Sequence, residues 1–308
     1  MNTTENTRRV IALGFFDGVH TGHGALLRRV GERAAALDAV PAAVTFDNHP
    51  DTLITGQPVP LINSIQDRAW LMEQYYGIRQ VIVTHFDDRM MHMDWQEFVE
   101  DYLVRELGAV HLVAGHDFHF GYRGEGTPQR LKEKCAQLGI GCDIVDKVER
   151  DGIIVSSTYI RTLLAQGEME RAAQFLGHPH ILTDQVEHGK RLGTTLGFPT
   201  LNLTFQPGVL VPAYGVYATR VRLEDGACHL AVTNVGVRPT VDSDGRVTVE
   251  GFILDFSGDL YGQRVRMEFY RHLRGERKFP SLEALTDEVM RNARQTRAYF
   301  QTHSASPV

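Results

Sequence analysis

The chain has 308 residues, 43% of them hydrophobic and 23% charged, which is an ordinary globular composition with length enough for two domains. Its net charge of −6, from 32 Lys+Arg against 38 Asp+Glu, argues against a partner held through many phosphate contacts, so no nucleic acid is expected. Three cysteines, Cys135, Cys142 and Cys228, form neither a CxxC pair nor an even framework, which argues against a structural zinc ribbon and for a reducing, cytoplasmic compartment.

From the start of the chain, MNTTENTRRVIALGFF lacks the apolar run ending in small residues that marks a signal peptide. No window approaches the ~20 uninterrupted apolar residues of a membrane span. VIAL (10–13) reads as a buried strand. Leu26, Leu27, Val30, Ala34 and Leu37 then recur at helical spacing. Further strands are expected at PAAVTF (41–46), QVIVTHF (80–86), VHLVAG (110–115) and GCDIVDKV (141–148), with helices over Trp95 to Leu107 and around Leu131, Cys135 and Leu138, the latter stopped by Gly139. Strands alternating with helices predict a Rossmann-like α/β domain with a parallel sheet, whose ligands bind beyond the strands' C-terminal ends.

After a helical stretch at about 158–176 the period changes. GVYATRVRL (215–223) puts Tyr217, Val221 and Leu223 on one face and Arg220 and Arg222 on the other. CHLAVTNVG (228–236), RVTVEGFILDF (246–256) and QRVRMEFYRHL (263–273) follow as strands, and a last helix starts at the N-cap Ser281. This is the pattern of a small antiparallel β-barrel closed by one helix. The expected domains are 9–175 and 176–302.

GFFDGVHTGH (14–23) sits where the first strand gives way to the first helix. Gly14 and Gly18 permit a tight turn, and Gly22 lets backbone approach an anion at a helix N-terminus. His20 and His23 lie one turn apart there, and imidazolium groups would neutralise phosphate charge. Two other readings stand beside this one: solvated histidines in a glycine-rich turn, or half of a zinc site completed by His116 and His119 of HDFH. GHDFHFG (115–121) is a second glycine-rich turn, with Asp117 available to a base or ribose. SSTYIR (156–161) offers Ser157, Thr158 and Arg161 to phosphate, or simply an N-cap. EHGKRLGTTLGFPTLNL (187–203) lacks the Walker A spacing. Within it, Thr200 and Asn202 share one face of an extended segment, where two neutral oxygens can help hold Mg²⁺. Glu250, facing away from Val249, is either solvated or a general base.

Together these motifs resemble the bacterial bifunctional riboflavin kinase/FMN adenylyltransferase family, from about Val10 to about Phe300. GFFDGVHTGH, TFDNHP (45–50), GHDFHFG and SSTYIR carry the resemblance in the first half. LGFPTLNL, YGVYA (214–218), NVGVRPT (234–240), VEGFILDF (249–256), DLYG (259–262) and RGERKF (274–279) carry it in the second. The resemblance implies ATP, riboflavin and FMN as substrates and Mg²⁺ as cofactor. It implies an adenylyltransferase site with Gly14, Phe16, Asp17, Gly18, His20, His23, Asp117, Ser157, Thr158 and Arg161 at ATP. It further implies a kinase site with Gly189, Lys190, Gly193, Thr200 and Asn202 at ATP, Thr200 and Asn202 at the metal, and Glu250 as base. The chain departs from the family at Asn48, Thr194, Leu201 and Asn292, and Phe15 and Tyr159 replace residues that are commonly smaller or basic.

Overall fold

β1 (Arg9–Leu13) is a continuous apolar run because both its faces are covered, and Val10 to Leu13 are buried. The computed structural model describes residues 7–187, 200–237 and 247–303. The chain divides into two compact units, Met1–Ser156 and Ser157–Val308.

In the first unit β1 leads to α1 (Thr21–Leu37), β2 (Val40–Phe46), α2 (Pro50–Thr55), α3 (Ile65–Tyr76) and β3 (Gln80–Thr84). A short α4 (Asp88–His92) and a helical stretch, Trp95–Glu97 continuing through Phe98–Glu106, precede β4 (Ala109–Gly115), α5 (Pro128–Leu138) and β5 (Gly141–Val145). All pairings in this sheet are parallel, in the order β3-β2-β1-β4-β5. The chain winds outward from β1 to β3, then returns to β1's other side with β4. The crevice where it changes direction lies beyond the C-terminal ends of β1 and β4. GFFDGVHTGH follows β1 and GHDFHFG follows β4, so both motifs arrive at that crevice.

The expected strands all form, within a few residues of their predicted ends. The helix expected at 158–176 is two, α6 (Ser157–Ala165) and α7 (Met169–Leu176), because Gly167 adopts a left-handed φ of 78° between them. A strand absent from the sequence reading, β6 (His180–Gln185), follows. It opens a six-stranded antiparallel sheet with β7 (Thr200–Leu203), β8 (Gly215–Arg222), β9 (Cys228–Val237), β10 (Val247–Ile253) and β11 (Arg264–Arg274), in the order β6-β11-β8-β9-β10-β7. The sheet curls toward closure: Glu187 bridges to Asn202, and Thr204 donates its backbone N–H to Asp184 Oδ2 at 2.9 Å. α8 (Leu282–Thr302), capped by Ser281 as expected, packs Ala293 against Val216, Val232 and Leu254.

His180, the first residue of β6, is buried against Phe269, and neither ring nitrogen has a partner among the described residues. Burial, reinforced by His178, holds its pKa down to about 3. The folded chain therefore takes up this proton far less readily than the unfolded one, whose histidine titrates near 6.5. Stability is fully present above that pH and falls by about 1.4 kcal/mol per pH unit below it, until the folded pKa is reached. We expect urea unfolding at pH 5.5 to show the second unit weakened relative to pH 7.5, and His180→Phe to flatten that dependence. An unchanged slope in the variant would assign the acid sensitivity elsewhere.

Candidate functional sites

The turn after β1 is tight and strained. Gly18 has φ 79°, but Phe16 and Val19 also have positive φ, 58° and 43°, a conformation that costs side-chain-bearing residues of order 1–3 kcal/mol each. Buried side chains hold it. Phe16 is fully buried, and its ring lies 3.1 Å from where a Cβ on Gly14 would sit, which is why that position carries none. Asp17 is buried and accepts the backbone N–H of Ile62 at 2.8 Å and of Asn63 at 3.4 Å. Phe16 and Asp17, expected at ATP, thus turn their side chains inward and shape the turn; what they present outward is backbone.

The turn delivers His20 as the N-cap of α1. Its Nδ1 accepts the His23 backbone N–H at 3.2 Å, so the neutral ring carries its proton on Nε2. His20 and His23 stack face to face, with centroids 3.5 Å apart and planes at 11°. Phe16 meets His23 edge-on at 5.2 Å. His23 Nδ1 is buried with no partner among the described residues. Burial, then His20, then Arg68 push the His23 pKa well below the usual histidine value. This corrects the expected imidazolium pair: in the ligand-free protein His23 is neutral, because the burial of its Nδ1 and the neighbouring His20 and Arg68 all oppose its protonation. The stacked rings do not converge on a point as zinc ligands do. Among the described residues no group of three or more His, Cys, Asp or Glu is placed to hold a metal ion.

Asp117 stands exposed in the turn after β4, its carboxylate 3.1 Å from an imagined Cβ on Gly115. Ser157, Thr158 and Arg161 belong to the second unit and share a face at the start of α6, opposite the buried Ile160, Leu163 and Leu164. Tyr159 meets Phe175 of α7 edge-on at 5.0 Å and lies under Arg171, which accounts for an aromatic ring there.

Phe15 is the departure within the first motif, and the structure explains it. Its ring covers the guanidinium of Arg68, 4.3 Å from centroid to Cζ, and meets His49 edge-on at 4.6 Å. Sequence reading passed over Arg68, Asn63 and the pair Asp47–His85, whose Oδ2 and Nδ1 are 2.5 Å apart at the ends of β2 and β3.

In the second unit, strand register assembles the other site. Glu250 lies directly opposite Asn202 on one side and Asn234 on the other. Phe252 lies opposite Thr200. Cross-strand partners share a face, so Thr200, Asn202, Glu250 and Asn234 form one polar surface spanning β7, β10 and β9. Leu201, Leu203, Val249 and Ile253 point the other way and are buried. Leu201 therefore lies off the polar face, as its alternation predicts. Asn234 completes the row from a strand the sequence reading did not connect to it. Gly189, Lys190, Gly193 and Thr194 lie outside the described residues.

Asn292 is buried on α8, accepts Arg274 Nε at 3.3 Å and donates to Gln295 Oε1 at 3.0 Å. Glu288, also buried, pairs with Arg274 at 3.2 Å and Arg277 at 2.5 Å.

A histidine pair at a helix N-terminus beside the switch point of a parallel sheet, and a carboxylate among neutral oxygens on a separate β-sheet, place the chain among nucleotide-dependent group transferases. Comparison with known proteins narrows this class. Residues 2–159 match the FAD synthetase family model, and residues 176–300 match that of riboflavin kinase. Curated bifunctional riboflavin kinase/FMN adenylyltransferases are similar along nearly their whole length. The protein from Pseudomonas fluorescens is 37% identical over 94% of this chain and 92% of its own, and that from Listeria monocytogenes 35% over 95% and 92%. A solved structure from Streptococcus pneumoniae, described as a macrolide-efflux protein, shares the fold, with a TM-score of 0.82, 28% identity and coverage of 96% of this chain and 95% of that one. The chain belongs to the bifunctional riboflavin kinase/FMN adenylyltransferase family.

Proposed function

We propose that this protein makes both flavin coenzymes, phosphorylating riboflavin with ATP to FMN and adenylylating FMN with a second ATP to FAD and pyrophosphate. The observation that carries this reading is the match of one chain, in family order, to both the FAD synthetase and the riboflavin kinase models. The assignment is 9–175 to adenylyl transfer and 176–302 to the kinase, with Ser157, Thr158 and Arg161 serving the adenylyl reaction by family resemblance.

At the kinase site Glu250 accepts the proton of the riboflavin 5′-hydroxyl as its oxygen attacks the γ-phosphorus, whose bond to the bridging oxygen breaks to release ADP. Thr200 and Asn202 offer two hard, neutral oxygens on the face that carries Glu250, a donor set suited to Mg²⁺ that keeps its other ligands from water and phosphate. When bound, the ion supplies charge neutralisation at the phosphates. At the adenylyltransferase site the FMN phosphate displaces pyrophosphate from the α-phosphorus of ATP. Catalysis there is positioning and charge stabilisation. His20 presents its Nε2–H to a phosphate oxygen, and His23, neutral in the free protein, takes up a proton as phosphate arrives. Asp117 reaches the nucleoside part.

The test is incubation with riboflavin, ATP and Mg²⁺, followed by chromatographic separation of flavins. FMN should appear first and FAD after it. The absence of both would overturn the reading. FAD from supplied FMN without conversion of riboflavin would restrict it to the first unit.

A further inference from the structure

Arg68 is the largest fully buried side chain of the chain's described residues, with no exposed surface. Its Nη1 donates to three acceptors: Phe15 O at 2.9 Å, Thr45 Oγ1 at 2.8 Å and Phe46 O at 3.2 Å. Thr45 Oγ1 in turn donates to Phe15 O at 2.7 Å. One cation from α3 thereby ties the strained turn after β1 to the end of β2. Phe15 seals it from above, and the Asp17 carboxylate partly offsets the cost of its burial. The arrangement is expensive. Nε and Nη2 are buried without partners among the described residues, and desolvation draws the guanidinium pKa down to about 10. A side chain needed only to fill this space would be apolar and cheaper.

We propose that Arg68 is a positioning residue for adenylyl transfer, fixing the turn that presents His20 and His23. This rests on the adenylyltransferase reading above. Arg68 acts in two ways. Its hydrogen bonds hold the Phe15 carbonyl, and with it the entry to the left-handed Phe16 and the helix cap. Its charge opposes protonation of His23 before nucleotide binds, so the imidazole is free to gain its proton together with the phosphate. The ionisable groups acting on His23 are His20 on the same helix and Arg68 from α3, while Asp17 acts on Arg68.

Two variants separate these effects. Arg68→Lys keeps the charge, but its shorter side chain ends short of the three acceptors that Nη1 reaches. FAD formation from FMN should fall about 10- to 100-fold in kcat, with KM for ATP changed less than about threefold, as expected when groups are misplaced in the transition state. Arg68→Gln removes the charge. The His23 ring, followed by NMR in histidine-labelled full-length protein and assigned through His23→Gln, should then titrate at higher pH than in wild type, whereas in Arg68→Lys it should not. Riboflavin phosphorylation by the same samples controls for intact second units. Wild-type kcat in Arg68→Lys, or an unmoved His23 titration in Arg68→Gln, would overturn the proposal. If Arg68→Gln does not fold, kcat in Arg68→Lys decides. A wild-type protein that makes no FAD would defeat the adenylyltransferase reading instead, and the His23 titrations would still report on Arg68.

Discussion

Glu250→Gln should abolish riboflavin phosphorylation, lowering it by about 10²- to 10⁴-fold, and leave FAD formation from supplied FMN unchanged within about twofold. The substitution preserves size and hydrogen-bonding reach but cannot accept a proton at pH 7. It should also leave the fold intact. Glu250 lies on the polar face of β10, and the neighbours that build the core, Val249 and Ile253, point to the other face. Asn202 and Asn234 stand opposite it on the flanking strands, and both can hydrogen bond to an amide as readily as to a carboxylate. The measurement is a pair of chromatographic assays on one preparation, the first started from riboflavin and the second from FMN, with thermal unfolding compared to wild type. A variant retaining full kinase activity would remove Glu250 from the role of base. Loss of both activities in a protein that unfolds normally would mean that the two sites do not work independently.

How much of this was legible in the sequence depended on where the physical signal was stored. The parallel sheet could be read because its central strands are buried on both faces and so appear as uninterrupted apolar runs. α3 could not, because its buried positions include Asp67 and Arg68, polar residues that disrupt the 3.6-residue apolar period. β6 was hidden by His178-Pro179-His180, which reads as a polar connection yet is buried at both histidines. The first site shows the same division. Its position followed from a motif standing between strand and helix. The charge state of His23 did not, since it depends on burial and on a cation supplied from α3. Phe15 had no explanation until its ring was seen over Arg68. In the second site the common face of Thr200 and Asn202 follows from a two-residue spacing, whereas Asn234 joins Glu250 only through strand register, which no local pattern encodes.

His20→Ala should reverse the Glu250 result, abolishing FAD formation while riboflavin is still converted to FMN. The loss has two separable causes, because His20 does two things. Its Nδ1 caps α1 through the His23 N–H, and a lost cap costs about 1 kcal/mol of stability. In the proposed reaction its Nε2–H donates to a phosphate oxygen, and removing one such donor costs about 10²- to 10³-fold in rate. His20→Asn distinguishes them. Asparagine is among the best N-caps, so its side-chain oxygen can accept the same backbone N–H, but it has no imidazole to extend toward the nucleotide. Both variants should lose adenylyl transfer to a similar degree, and only His20→Ala should lower the unfolding midpoint of the first unit, measured by urea denaturation. If His20→Asn kept wild-type FAD synthesis, the ring would be serving α1 alone. Phosphate stabilisation would then fall to His23 and the backbone of the turn, and the depressed His23 pKa would become the controlling quantity in the pH dependence of FAD formation.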